Sequence, residues 1–232
     1  MVRLNILAAD IHKRMVEDDR FGYSWSERYG ASTEKWTVDG VDVTIGVGDY
    51  DCSSSAITAW RLALKAAEVT LGNATFTGDM LPVFLATGLF EWRTDFSRAC
   101  RGDLYLNEAN HVAMCQGGGK LSEFSMNEYG GAYGGKRGDQ TGYEGHMGNY
   151  YNYPWNGYLH YIGTLEVGKK DAKEEVKDMA LTANELEKIA LKVWGYRNSK
   201  LEKSDAYSIL RTIRNDVADI KKRVAALEKK MK

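Results

Sequence analysis

Two hydrophobic periods meet in this chain, and their order limits what it can fold into. Residues 56–67 place Ala56, Ile57, Ala59, Trp60, Ala63, Leu64 and Ala67 on one broad stripe of helical spacing, wider than a helix with one side in water would carry. From Gly102 onward the period falls to two. The run "GDLYLNEANHVAMCQGGGKLSEFSM" reads as a strand, a polar connection, a strand, a glycine turn and another strand. Buried helical segments followed by antiparallel strands predict an α+β domain, with N-terminal helices packed on a sheet.

The flanking segments fit that plan unevenly. Asn5 can cap a helix over 6–17, with Ile6, Leu7, Ile11 and Met15 on its inner face and His12 among charged neighbours at the surface. In "WTVDGVDVTIGVG" the alternation of Val41, Val43 and Ile45 and the Asp39-Gly40 pair predict a hairpin. Between 70 and 100 the pattern suggests only a helix after Pro82. Residues 129–158 are dense in glycine and tyrosine, and a last strand is expected in "YLHYIGTLEV", where His160 has a structural role.

Charge and cysteine usage exclude several classes. With 31 basic against 32 acidic residues the net charge is -1, so nothing in the whole-chain balance calls for nucleic acid or an anionic membrane. The apolar run at the N-terminus, Ile6 to Ala9, is shorter than the roughly 7–15 residues of a signal-peptide core. No run approaches the ~20 residues of a membrane span. A protein made in the cytoplasm without an export signal, and not inserted in a membrane, is expected. Three cysteines, Cys52, Cys100 and Cys115, do not make a disulfide framework, and no CxxC or HExxH spacing suggests a metal or other cofactor.

Cys52 stands where "GVGDYDCSSSAITAWRLAL" turns from an acidic entry into the apolar helix, with Asp51 or Ser53 as its cap. A helix N-terminus favours negative charge, which gives a cysteine there a physical reason to act as a nucleophile. A small residue filling a strand-to-helix turn is the alternative. A nucleophile needs a base, and His111 opens the strand "HVAMC". With "QGG" (116–118) as the turn, Ala113 faces Leu121 and His111 faces Glu123. Opposed side chains hold their Cβ atoms about 4.5–5.5 Å apart, so a carboxylate there can orient the imidazole. Cys115 points to the same side as His111, but it and Cys100 are read as structural. His146, in the glycine-rich stretch, is a candidate to touch a ligand.

"YDCSSS" (50–55), "RGDLYL" (101–106) and "NHVAMCQGGGKLSE" (110–123) resemble, in order and spacing, the three motifs of NlpC-type peptidoglycan hydrolases, papain-like cysteine enzymes of bacterial walls. The similarity is closer to the bacteriophage branch of wall-lysing amidases, and "FGYSWSERYG" resembles its upstream tyrosine segment. The resemblance spans about 1–166. It implies a papain-like NlpC-type domain with Cys52 as nucleophile, His111 as base, Glu123 as orienting residue and Tyr23 assisting the site. Asp51 and Ser53 would support it. Glu123 departs from the commoner histidine. Trp25, Tyr143, His146, Tyr151 and Trp155 are candidates for a substrate groove, against the alternative of a long loop packed by its own side chains.

Residues 167–181 read as a charged linker and 182–232 as a helical region. There Thr182 and Glu185 form a capping box, and Leu210, Ile213, Val217, Ile220, Val224, Leu227 and Met231 recur at coiled-coil spacing. Residues 205–232 are thus a candidate for homo-oligomer formation. Together these features predict an endolysin: a cysteine amidohydrolase acting on peptidoglycan after release from the host cytoplasm. It would cut either within the stem peptide or at the muramoyl–alanine amide. A non-catalytic wall-binding or tail-assembly protein that kept the fold is the alternative.

Overall fold

The computed structural model describes residues 1–168. The expectations for most of the linker, for the helical region and for the coiled coil fall on residues 169–232 and lie outside the described residues. In chain order the elements are β1 (Val2–Arg3), α1 (Leu4–Val16), β2 (Ser32–Val38), β3 (Val41–Val47), α2 (Cys52–Ala66), α3 (Thr77–Leu85) and β4 (Phe90–Arg93). Then follow β5 (Leu104–Asn107), β6 (His111–Gly117), β7 (Lys120–Phe124), β8 (Gly145–Asn149), β9 (Gly157–Tyr161) and β10 (Glu166–Val167). Among the described residues the result is a mixed fold of three α-helices and a six-stranded antiparallel sheet of order β4-β9-β5-β6-β7-β8, with β1-β10 and β2-β3 as separate pairs.

Helices α1 and α2 pack on each other and on the central strands β6 and β7. Leu4, Leu7, Ile11 and Met15 of α1 meet Ala56, Ile57, Trp60 and Leu64 of α2 over Val112, Met114 and Phe124 in one buried cluster. Removing that apolar surface from water is the main force holding helices to sheet. The other face of the sheet carries a smaller cluster of Tyr105, Ala113, Cys115, Leu121, Trp155 and Tyr158. Trp60 joins the layers: its indole N–H donates to the Gly102 carbonyl at 3.0 Å, and its ring meets Phe90 and Tyr161 at 4.7 and 5.2 Å.

Several elements differ from the sequence reading, each for a local reason. Helix α1 starts at Leu4, and Asn5 is no cap: its Nδ2 donates to the Arg101 carbonyl at 2.9 Å. The helix start is fixed instead by β1, where Val2 pairs with Val167 and the Leu4 N–H reaches the Leu165 carbonyl. Val167 therefore belongs to the sheet pairing and not to a linker. His12 is buried at 1% exposure, not at the surface. Helix α3 begins before Pro82, because the Asp79 carboxylate takes the Thr75 and Phe76 N–H groups at its N-terminus. The Asp39-Gly40 hairpin is present, with φ of 51° and 76° at the two turn residues, as a two-residue turn between twisted strands needs.

The β6–β7 hairpin bears most on the site. Its register pairs Met114 with Ser122, Cys115 with Leu121 and, past an irregularity, Gly117 with Lys120. Gly118 and Gly119, both at positive φ, make the turn. His111 is therefore not directly opposite Glu123: the turn falls at Gly118-Gly119 and not at 116–118, and with the irregularity the register lies two residues from the expected one. A shift of two preserves the face that every side chain points to, whereas a shift of one would have reversed it. No helix among the described residues is long and apolar enough to cross a membrane.

Replacing Trp60 with alanine is expected to destabilise the domain by about 3–5 kcal/mol in denaturant unfolding, the range for deleting a buried aromatic. A loss below about 1 kcal/mol would contradict its place between the layers.

Candidate active site

The start of α2 is held from three directions. Tyr23 forms a parallel bridge with Tyr50, with Ser24 donating to the Tyr50 carbonyl at 3.0 Å and Tyr50 to that of Gly22 at 2.9 Å. Asp51 caps the helix: Oδ1 accepts from the Ser54 N–H at 2.6 Å, and the Ser54 hydroxyl accepts from the Asp51 N–H at 2.9 Å. The Arg28 guanidinium pairs with the buried Asp51 carboxylate at 2.5 Å and donates to the Ser53 hydroxyl at 2.8 Å. Asp51 and Ser53 are thus occupied in fixing the helix end. Cys52 occupies the first helical position, 9% exposed. The N–H groups of that first turn have no partner inside the helix.

His111 stands beside this helix end. Its Nε2 meets Glu123 Oε2 at 2.8 Å, the diagonal arrangement that the two-residue shift permits. Nδ1 is left for the Cys52 side chain. Burial works against a charged imidazole, but its hydrogen bonds with Cys52 and with the Glu123 carboxylate, which accepts from it, outweigh that and raise the His111 pKa to about 9. Trp155 stacks on the imidazole at 5.8 Å with 24° between the planes. Tyr23 lies close enough to Cys52 for the sulfur to affect its phenol, whose pKa is pushed up chiefly by burial. It therefore remains a hydroxyl donor.

Glu123 is 4% exposed and gathers donors from three segments. Besides His111 it takes the Tyr151 hydroxyl at 2.8 Å and, on its other oxygen, His146 Nε2 at 3.2 Å. Burial penalises its charge, yet these donors bring its pKa down to about 2. His146 lies directly across from Glu123 on β8, and its own pKa is raised, chiefly by that hydrogen bond. Of the residues expected to line a groove, His146 and Tyr151 are therefore tied to Glu123, and Trp155 is buried behind His111. Only Trp25 and Tyr143, at 51% and 70% exposure, present their rings freely.

The glycine- and tyrosine-rich segment divides by chemistry. Its polar residues fasten it. Asn127 Oδ1 accepts from Tyr129 and Gly131, and its Nδ2 donates to the Tyr133 carbonyl at 2.9 Å. Asp139 accepts from Thr141, Gly142, Glu144 and Gly145, and the fully buried Glu144 accepts from Tyr23 and Gln140. The Gly138 N–H donates to Asp49 at 2.8 Å. Tyr133, 64% exposed, stands 5.0 Å from Trp25. The loop is not packed over the core by its tyrosines; carboxylates and amides hold it while the rings face outward. Residues 150–158 do the opposite, with Tyr150, Tyr153, Trp155 and Tyr158 packed on the sheet.

The other two thiols sit elsewhere. Cys115 is buried, with the Tyr105 hydroxyl donating to its sulfur at 3.6 Å, and burial raises its pKa. A cavity of about 310 Å³ opens beside it, lined by Phe96, Tyr105, Tyr150 and the Gly117–Gly119 turn, and its lining includes neither Cys52 nor His111. Donor atoms of Cys100, Asp103 and His160 lie within 4.8 Å of one another, a ligand set of the kind that binds metal. The Asp103 carboxylate, however, already accepts from the Cys100 N–H at 2.7 Å, from His160 Nδ1 at 2.9 Å and from the Tyr161 N–H at 3.4 Å. It pins the 100–103 loop to β9.

Sequence reasoning missed two contributors to the site. Arg28 carries no signal except its place in the aromatic loop. His146 was marked, but for a ligand and not for Glu123, because a strand of Gly-His-Met-Gly-Asn has no apolar alternation to reveal it.

The pairing of His111 with Glu123 sets a pH window. Glu123 is held below its ordinary 4.5, so its contribution is present above pH 4.5 and is lost as pH falls towards 2. His111 is held above 6.5, so its contribution is present below pH 6.5 and is lost as pH rises through about 9. Between those limits Glu123→Gln is expected to lower unfolding free energy by roughly 2–4 kcal/mol, with the difference shrinking in acid and in alkali. Denaturant unfolding across pH measures it, and parallel wild-type and variant curves would contradict the pairing.

Among solved structures, the P60 domain of antigen MAP1204 from M. avium subspecies paratuberculosis is 21% identical, over 68% of this chain and 96% of that one, with a TM-score of 0.39. The peptidoglycan hydrolase RipB from Mycobacterium tuberculosis is 20% identical, over 70% of this chain and 68% of that one, with a TM-score of 0.38. No curated protein matches the sequence. The endolysin-like domain family matches residues 2–122 and, overlapping by two positions, residues 121–223. The chain belongs to the endolysin-like domain family.

Proposed function

We propose that this protein hydrolyses an amide bond of bacterial peptidoglycan, with Cys52 as nucleophile, His111 as general base and acid, and Glu123 as the group that orients His111. One observation carries the reading: the mostly enclosed His111 imidazole meets a charged carboxylate at 2.8 Å through Nε2 and lies close enough to the helix-terminal thiol for that thiol to help raise its pKa. Membership of a family described as endolysin-like supports the wall as substrate.

The chemistry follows from that arrangement. His111 Nδ1 takes the Cys52 proton, and the sulfur attacks the amide carbonyl carbon. The Cys52 N–H, unpaired in the first turn, and the Tyr23 hydroxyl receive the oxyanion. Glu123 stabilises the imidazolium through Nε2. The imidazolium then protonates the leaving amine, and the C–N bond breaks to leave a thioester. Water, deprotonated by His111, attacks the thioester carbonyl. Collapse releases the carboxylic acid, and the sulfur recovers its proton from the imidazolium. Trp25 and Tyr133, 5.0 Å apart, and Tyr143, 6.1 Å from His146, carry exposed rings suited to stack on sugar or stem-peptide groups. The bond is either the muramoyl–alanine amide or one within the stem peptide, and the reading extends to an enzyme of the phage-type branch.

Replacing Cys52 with alanine is expected to abolish lysis of purified walls, by about 10³-fold or more, while folding and wall binding persist. Undiminished lysis would end the proposal. Mass spectrometry of wild-type digests then identifies the bond, since a new amine on a diamino acid marks a stem-peptide cut. Amide cleavage at the muramoyl group frees the amine of alanine instead.

A further inference from the structure

Behind the site lies a buried histidine that the mechanism above does not use. His12 on α1 is fully enclosed, and both its ring nitrogens have partners: Nδ1 meets the Ser122 hydroxyl at 2.6 Å and Nε2 the Ser55 hydroxyl at 3.0 Å. Neither serine ends the chain of contacts. The Ser55 hydroxyl lies 3.0 Å from the Cys52 carbonyl, and Gln116 Nε2 lies 2.8 Å from the Ser122 hydroxyl.

The ends decide where the protons are. A carbonyl can only accept, so Ser55 donates to Cys52 and must accept from His12 Nε2–H. A side-chain amide N–H can only donate, so Ser122 accepts from Gln116 and gives its proton to His12 Nδ1. The run is therefore directional: Gln116 to Ser122 to His12 to Ser55 to the Cys52 carbonyl. A neutral ring protonated on Nε2 satisfies every member. Burial favours that neutral form and lowers the His12 pKa to about 3. The connection spans four elements, β6, β7, α1 and α2. Ser55 belongs to the first turn of α2, one turn after Cys52, and Ser122 precedes Glu123 on β7.

We propose that His12 is a positioning residue, a neutral imidazole whose two hydrogen bonds hold Cys52 on α2 in register with Glu123 on β7, so that thiol, base and carboxylate keep their mutual distances. This rests on the Cys52–His111–Glu123 reading. It goes beyond that reading by assigning a function to a residue that touches no substrate and no reacting atom. Hydrophobic packing alone leaves α2 free to slide or turn slightly on the sheet, whereas a hydrogen-bonded chain from β6 through β7 and α1 to the nucleophile's own carbonyl fixes its height. A misplacement of about 1 Å can cost about 10²-fold in rate.

The test uses the full chain with His12→Leu, which removes both hydrogen bonds, and His12→Gln, whose amide can donate to Ser55 and accept from Ser122. The maximal rate of wall lysis is expected to fall by about tenfold or more in His12→Leu. The wall concentration giving half-maximal rate should stay within about twofold, as for a loss confined to the reacting geometry. His12→Gln should recover most of the rate. Should His12→Leu not fold, Ser55→Ala and Ser122→Ala cut the chain at either side of the ring. Each is expected to slow lysis, and the double variant should be little slower than either single one. A wild-type rate in His12→Leu, or in both serine variants, would overturn the assignment. A failure of the underlying reading is distinguishable, because it would show as lysis that survives Cys52→Ala.

Discussion

A carboxylate buried away from water is costly unless donors surround it, and Glu123 shows how many parts of this fold that demand recruits. Its three donors come from β6, from β8 and from the loop that follows β8. Satisfying the charge therefore draws together an inner strand, an edge strand and a turn distant in sequence. Once they are in place, His111 has one nitrogen committed to Glu123 and the other directed to the mouth of α2. The same economy governs the helix end, where the buried Asp51 carboxylate is answered by Arg28 and by the amide and hydroxyl groups of its cap. Two buried acids, each with its own set of donors, fix Cys52 and His111 independently.

The long glycine-rich stretch gains its meaning from the same principle. A loop of that length without regular structure is held only if its backbone groups find partners. Asn127, Asp139 and Glu144 supply them, and the rings of Tyr129, Tyr133 and Tyr143 are released to face solvent. Tyr150, Tyr153 and Tyr158 serve the reverse purpose, closing the outer face of the sheet, with Tyr153 and Trp155 backing the His111 imidazole. One compositional signature thus divides into an exposed aromatic surface and a second core.

How much of this was legible depended on whether a signal was local. The hairpin at Asp39-Gly40, the helix opening at Cys52 and the period-two strands from Leu104 all carry their cause in a few neighbouring residues. The face shared by His111 and Glu123 was legible although their pairing was not, since a three-glycine turn leaves the register open and side-chain alternation tolerates an error of two. The burial of His12 is masked in the sequence by its charged neighbours, although Ala8 and Val16, one helical turn away on either side, are buried with it. Strand β8 and the end of α1 depend on partners far along the chain, so no local pattern could announce them. The same is true of the bonds from His146 and Tyr151 to Glu123.

The central claim is that Cys52, His111 and Glu123 form one hydrogen-bonded unit, and the ring of His111 reports on it directly. Nitrogen-15 NMR titration of that ring, in the wild type and in the Cys52→Ala and Glu123→Gln variants, tests it. The account predicts a wild-type midpoint near 9 that falls in each variant, because each removes one of the partners favouring the imidazolium. A midpoint near the ordinary value of about 6.5 that is the same in all three proteins would contradict it.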